Sequence, residues 1–245
     1  DLFFSSFMKS SFFPRYVSGY IFYYNIDMTN REYILNKEYF VQVIRDLIVL
    51  AENRKDYFTE LDSAIGDGDH GMNLSIGFRE VDKHIEEWKE LSVKDLYKNV
   101  GTALLDKVGG SSGPLYGSFF MKFGLPIKKK GPEEGATFSE FIEMMETGVA
   151  IIKKRGKSTT GEKTMLDTFV PAVETLRAEY EGGTSAREAM AKAVEAGKEG
   201  LESTRNIVAT KGRAMRLGER AIGHLDPGAA SAAEILEVFY NDMPD

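Results

Sequence analysis

The sequence predicts an all-α domain of about eight helices, and three observations lead to that class. From Asn36 onward, apolar residues recur at spacings of three and four, which lays one apolar stripe along each helix. Capping signals open several of these stretches and glycines close them. Alternation of apolar and polar residues, the mark of a half-buried strand, is nearly absent.

The first stripe is Tyr39, Phe40, Val43, Ile44, Leu47 and Leu50, and the second is Leu74, Phe78, Val81, Ile85 and Trp88. Leu96, Val100, Ala103, Leu104 and Val108 form a third helix, ended by Gly109-Gly110. A fourth opens around Gly113-Pro114, where proline suits a first turn, and carries Leu115, Phe119, Phe120 and Phe123. Thr137-Phe138-Ser139-Glu140 has capping-box spacing and opens a fifth helix that runs to about Arg155. Met165, Phe169, Val170, Val173 and Leu176 mark a sixth, stopping near Gly182-Gly183, with Pro171 predicting a kink or a late start. Residues 185–209 form a seventh, opened by Ser185 and Glu188 at the same capping spacing, and 231–240 an eighth. No linker is long or polar enough to divide residues 28–245, which read as a single domain.

Residues 1–27 read differently. Aromatics crowd there, from Phe3 and Phe4 to Tyr23 and Tyr24, with neither helical nor strand period. The apolar region is broken by Lys9, Pro14 and Arg15, which does not fit a signal peptide. Met28-Thr29-Asn30 looks like a natural start, so 1–27 are expected to be a disordered or foreign extension.

The chain has 245 residues, a net charge of −7 and no cysteine. The acidic balance argues against a nucleic-acid surface. No apolar run approaches the roughly 18 residues of a membrane span. The expectation is a cytoplasmic protein that binds neither nucleic acid nor membrane.

The chemistry concentrates in Asp62-Ser63-Ala64-Ile65-Gly66-Asp67-Gly68-Asp69-His70-Gly71. Asp62, Asp67 and Asp69 brought to one point repel unless a cation joins them, and an all-oxygen set suits Mg²⁺ or Ca²⁺. Gly66, Gly68 and Gly71 also fit a dinucleotide-binding spacing, but two carboxylates in that loop would repel a pyrophosphate. An EF-hand beginning at Asp67 fails, because Gly71 and Phe78 stand where ligands are required. An ordinary acidic turn that caps a helix needs only one of the three aspartates.

Other junctions supply anion-binding chemistry. Gly109-Gly110-Ser111-Ser112-Gly113-Pro114 places hydroxyls and free amides at a helix start, a site for phosphate or merely a capped junction. Gly156-Lys157-Ser158 resembles the end of a P-loop, but no strand precedes it. Lys163 reads as a solvated charge. Arg213 suits forked phosphate binding, with a salt bridge to Glu219 as the competing account. Together these junctions describe a pocket for a magnesium-bound polyphosphate at one end of a helical barrel.

These blocks, with Gly161-Glu162-Lys163-Thr164-Met165-Leu166-Asp167 and the run 212–229, resemble the nucleotide-binding L subunit of phosphotransferase-system dihydroxyacetone kinase over about residues 30–242. The resemblance implies a closed barrel of eight antiparallel helices with the nucleotide at one end. It implies two Mg²⁺ ions on Asp62, Asp67 and Asp69. It implies ADP/ATP contacts from His70, Gly71, Met72, Asn73, Ser111, Ser112, Gly156, Met165 and Arg213, closed by Asp226, Pro227 and Gly228. In that chemistry bound ADP is rephosphorylated by a phosphohistidine partner of the phosphotransferase system, and the phosphate passes to dihydroxyacetone on a separate substrate subunit. No protein nucleophile is required, so His70 reads as a polar contact. Self-association as a homodimer is left open. Two other readings keep the same metal loop: a kinase domain that uses free ATP on another substrate, and a non-catalytic nucleotide sensor that binds a transcription regulator.

Overall fold

The computed structural model describes residues 33–110, 112–127, 131 and 133–244, together with the backbone of 10–17 and 20–27. The fold is mostly helical, but two small sheets modify the all-α expectation. β1 (Ser10–Val17) and β2 (Tyr20–Asp27) pair antiparallel, from Ser10 opposite Asp27 to Val17 opposite Tyr20. Their aromatic and β-branched composition favours extended backbone even without strict alternation. β3 (Ile34–Leu35) pairs with β4 (Ala136–Thr137), tying the start of the helical region to its middle.

α1 (Lys37–Asn53) starts where the Asn36 side chain accepts the Tyr39 N–H at 2.9 Å, and it buries the expected stripe except Leu50, which is half-buried. α2 (Lys55–Ile65) follows directly and was not expected. It buries only Phe58, Asp62 and Ile65, so its inner face carries a charge in place of an apolar stripe. The second stripe is shared by α3 (His70–Asp82) and the single-turn α4 (Ile85–Trp88), which turn apart at Lys83-His84.

α5 (Val93–Lys107) and α6 (Ser112–Phe123) lie unusually close, because Gly101 leaves room for the backbone of Gly117 and Met121. α7 (Phe138–Gly156) opens with the full Thr137–Glu140 capping box. α8 (Leu166–Glu181) contains Pro171, which cannot donate to the Asp167 carbonyl; Gly200 of α9 (Ala186–Ser203) packs against that carbonyl. α9 ends earlier than the stripe suggests, because Thr204 is fully buried and its hydroxyl accepts the Asp226 N–H. The chain then makes two short 3-10 segments, Thr204–Asn206 and Ala214–Ala221, before α10 (Pro227–Asn241).

α1, α3, α5, α6, α7, α8, α9 and α10 each pack on the next in that order, and α10 returns to α1. Enclosed between them are Phe119, Phe120, Phe123, Phe141, Phe169 and Phe239, all fully buried, with Phe119 stacked on Phe169 at 5.3 Å. Burial of such rings supplies most of the driving force for the fold. Among the described residues, no helix is long and apolar enough to cross a membrane.

Candidate functional site

The site begins with the turn that connects α2 to α3. Asp62 is in the last turn of α2, and one of its oxygens accepts the N–H groups of Asp69 at 2.8 Å and His70 at 3.1 Å. That folds the loop back over the helix end. Gly68 sits at φ +74°, in the left-handed region open to glycine, and the chain can therefore turn between the two outer aspartates. As a result, ligand oxygens of Asp62, Asp67 and Asp69 lie within 4.8 Å of one another.

Two charges at that separation repel by about 3 kcal/mol at an effective dielectric near 20. Burial holds the Asp62 carboxyl above its ordinary pKa; the two amide bonds work against this, and the charges of Asp67 and Asp69 add to it. The Arg213 guanidinium pairs with Asp67 and stands 3.5 Å from Asp69, not against Glu219. The donor set consists of carboxylate oxygens alone and so fits a hard dication such as Mg²⁺.

His70 opens α3 and is buried. Its Nδ1 lies 2.8 Å from the Ser112 hydroxyl and its Nε2 2.9 Å from the Ser231 hydroxyl, which continues to Tyr116 at 2.6 Å. Burial pushes the imidazole down to about 4. It is therefore neutral at pH 7, with both ring nitrogens engaged. That agrees with a polar contact and leaves no free nitrogen to carry phosphate.

The remaining walls come from three junctions. Ser112 is in the first turn of α6, where amides are free to bind anions. Gly156 ends α7, so a helix precedes Gly156-Lys157-Ser158 and the P-loop rejection holds. Met165 is buried before α8 and lies against Gly228. Asp226 caps α10, accepting the Ala229 N–H at 2.7 Å, with Pro227 in the first turn. Burial pushes the Asp226 carboxyl up to about 7, against the Ala229 hydrogen bond.

These elements form a cleft of about 220 Å³. Its lining includes Asp62, Asp67, Asp69, His70, Ser112, Gly156, Met165, Arg213, Asp226, Pro227 and Gly228. Three expected contacts do not line it. Gly71 is buried against the Lys55 backbone, Met72 is exposed, and Asn73 lies beside Gly109 and Gly110. Ser111 lies outside the described residues.

Several contributors escaped the sequence reading. Lys163 is not a solvated charge: it is 1% exposed, lines the cleft, and donates to the carbonyls of Thr204 and His224. Asp167 is buried and accepts the N–H groups of Gly161 and Thr164. Leu115, Ile152 and Leu166 add apolar wall. The spacing of Lys163 and Asp167 around Met165 was visible in the glycine-rich junction, but their burial had no sequence signal.

A family model described as the DAK2 domain matches residues 64–241. The chain is 45% identical over 214 residues to the ADP-binding subunit DhaL of PEP-dependent dihydroxyacetone kinase 2 of Listeria innocua, covering 86% of this chain and 97% of that protein. It is 38% identical to the ADP-binding subunit DhaL of the Escherichia coli PEP-dependent dihydroxyacetone kinase, covering 75% of this chain and 86% of the relative. Among solved structures, the native dihydroxyacetone kinase of C. freundii matches with a TM-score of 0.64 at 23% identity, over 82% of this chain and 34% of that one. That likeness is one of fold, and the chain spans about a third of the solved kinase's length. Taken with the cleft, these matches place the chain in the DAK2 domain family.

Proposed function

We propose that the chain is the ADP/ATP- and Mg²⁺-binding subunit of a dihydroxyacetone kinase in the cytoplasm. It takes phosphate from a phosphohistidine protein of the phosphotransferase system onto bound ADP and passes it to dihydroxyacetone on a separate substrate subunit. The observation that carries this reading is the meeting of three carboxylates within 4.8 Å in a cleft that also holds Ser112, Met165 and Arg213. The names of the Listeria and Escherichia relatives support it.

Asp62, Asp67 and Asp69 would hold Mg²⁺, two ions in our reading, which supplies neutralisation of phosphate charge. Ser112 and the amides at the start of α6 hold phosphate oxygens. Arg213 adds a cation at the same rim. Met165, with Leu115 and Ile152 on the same cleft, offers apolar surface to the base, and Asp226-Pro227-Gly228 closes the end. His70, held neutral between two hydroxyls, positions Ser112 and takes no phosphate. The sequential packing of eight helices, with α10 returning to α1, supports a closed barrel with the nucleotide at one end. We also take residues 28–245 as the functional domain, with 1–27 dispensable.

Transfer of radiolabel from a purified phosphohistidine donor tests the function. Label is expected in bound ADP, released as ATP on denaturation, and in dihydroxyacetone only when the substrate subunit is added. Acid-labile label on His70, His84 or His224 would overturn the reading in favour of a phosphohistidine relay. Label in neither place would favour a kinase that uses free ATP, or a sensor.

A further inference from the structure

Lys163 has a conformation that calls for an explanation. It is a non-glycine residue at φ +62°, a strained backbone state, and this turn sends its side chain inward, where it is 1% exposed. Its ammonium donates to the Thr204 carbonyl and, at 2.5 Å, to the His224 carbonyl. Those two residues bracket the loop 205–223, which carries Lys211, Gly212 and Arg213 into the cleft wall.

The same neck is closed by two further bonds, Gly223 N–H to the Arg205 carbonyl at 2.7 Å and Asp226 N–H to the Thr204 hydroxyl at 3.0 Å. Beyond the neck the loop is held by the Thr210 N–H on the Glu162 carbonyl at 3.3 Å and by ion pairs of partly exposed side chains, Arg213 with Asp67 and Lys211 with Glu162. Its buried residues Ala209, Ala214 and Ala221 form a small cluster with Ile65, separate from the main core. A segment with so few buried contacts opens easily unless its ends are pinned. A lysine suits the neck because its ammonium has three N–H groups and can serve two carbonyls at once.

We propose that Lys163 is a positioning residue: by clamping both ends of the 205–223 loop, it sets Arg213 against the acidic loop. Its effect on nucleotide rests on the proposed function, whereas its effect on the loop does not. Amide hydrogen exchange of the full chain therefore comes first. Lys163→Met is expected to raise exchange across residues 209–221 by about tenfold or more while α5 and α7 keep their protection. Unchanged exchange in the loop overturns the clamp.

Mg²⁺-dependent ADP binding then tests whether the clamp acts through Arg213. Lys163→Met and Arg213→Gln are each expected to weaken binding about tenfold, and the double variant to stay within about twofold of Arg213→Gln. Losses that multiply to about a hundredfold would overturn the link to Arg213, since independent sites add in free energy. Failure of the wild-type chain to bind ADP would sink the nucleotide reading, and the exchange result would still decide the clamp. Should Lys163→Met not fold, the wild-type ammonium resonance decides: protection from solvent supports the clamp, and rapid exchange overturns it.

Discussion

The acidic loop between α2 and α3 is fastened from within, for Asp62 accepts N–H groups seven and eight residues ahead of it, and Gly68 makes the turn. The loop between α9 and α10 is fastened from outside. Lys163 reaches its two ends across separations of 41 and 61 residues, and Glu162 accepts the Thr210 N–H at 3.3 Å. Both loops line one cleft. The first carries its geometry in its own residues, and the second borrows it from the junction before α8. A short loop whose donors and acceptors are local orders itself at little entropic cost, whereas a long one needs anchors from elsewhere.

The largest expected effect is on the self-fastened loop. Asp67→Asn and Asp69→Asn each remove a charged ligand but leave the turn-forming bonds of Asp62 to the Asp69 and His70 N–H groups in place. Phosphoryl transfer is expected to fall by about a thousandfold or more, with Mg²⁺-dependent ADP retention weakened and the melting temperature nearly unchanged. Label-transfer assays and thermal melts check both. Activity retained in both variants would make the acidic turn merely structural.

Next in size is Ser231→Ala, which probes the buried chain behind the loop. It removes the hydroxyl partner of His70 Nε2, and stranding a buried polar group costs about 1–3 kcal/mol, while Tyr116 keeps the Gly228 carbonyl at 3.2 Å. Denaturant titration is expected to show that loss. A change below a few tenths would mean that His70 does not depend on this network.

Gly68→Ala tests whether the first loop is as locally determined as its bonds suggest. A side chain at φ +74° costs roughly 1–2 kcal/mol, and the new Cβ would also press on the Ser63 hydroxyl. Weaker Mg²⁺-dependent retention with a modest loss of stability is expected. Unchanged retention would show that the turn tolerates a second geometry.

A control lies outside both loops, at the end of α10. Burial and the neighbouring Asp46 carboxyl hold Asp242 up to about 7. The folded chain therefore binds more protons there than the unfolded chain between about pH 4 and 7. Stability from this group is present at acid pH and lost as pH rises through 7. Asp242→Asn is expected to remove that decline, so denaturation midpoints at pH 6 and pH 8 should draw together without any change in ADP binding. A chain beginning at Met28 is expected to show the smallest effect, melting within a few degrees of the full chain and retaining ADP. A large loss would show that residues 1–27 stabilise the helical domain.

The helical class, the third to sixth helices and the acidic site were legible in the residues themselves, because each depends on neighbours a few positions apart. Stripes such as Phe119, Phe120 and Phe123 declare a buried face, Thr137 and Glu140 declare a helix start, and three aspartates among three glycines declare a tight acidic turn. α2 was hidden because its buried face includes Asp62, and the end of α9 because Thr204 is turned inward by Asp226, 22 residues away. Gly71, Met72 and Asn73 follow His70 in sequence but leave the cleft, since a helix sends successive side chains to different faces. Lys163 looked like any surface lysine. Only the return of the chain at Thr204 and His224 places two carbonyls around its ammonium, and burial is a property of that assembled surrounding, not of the residue.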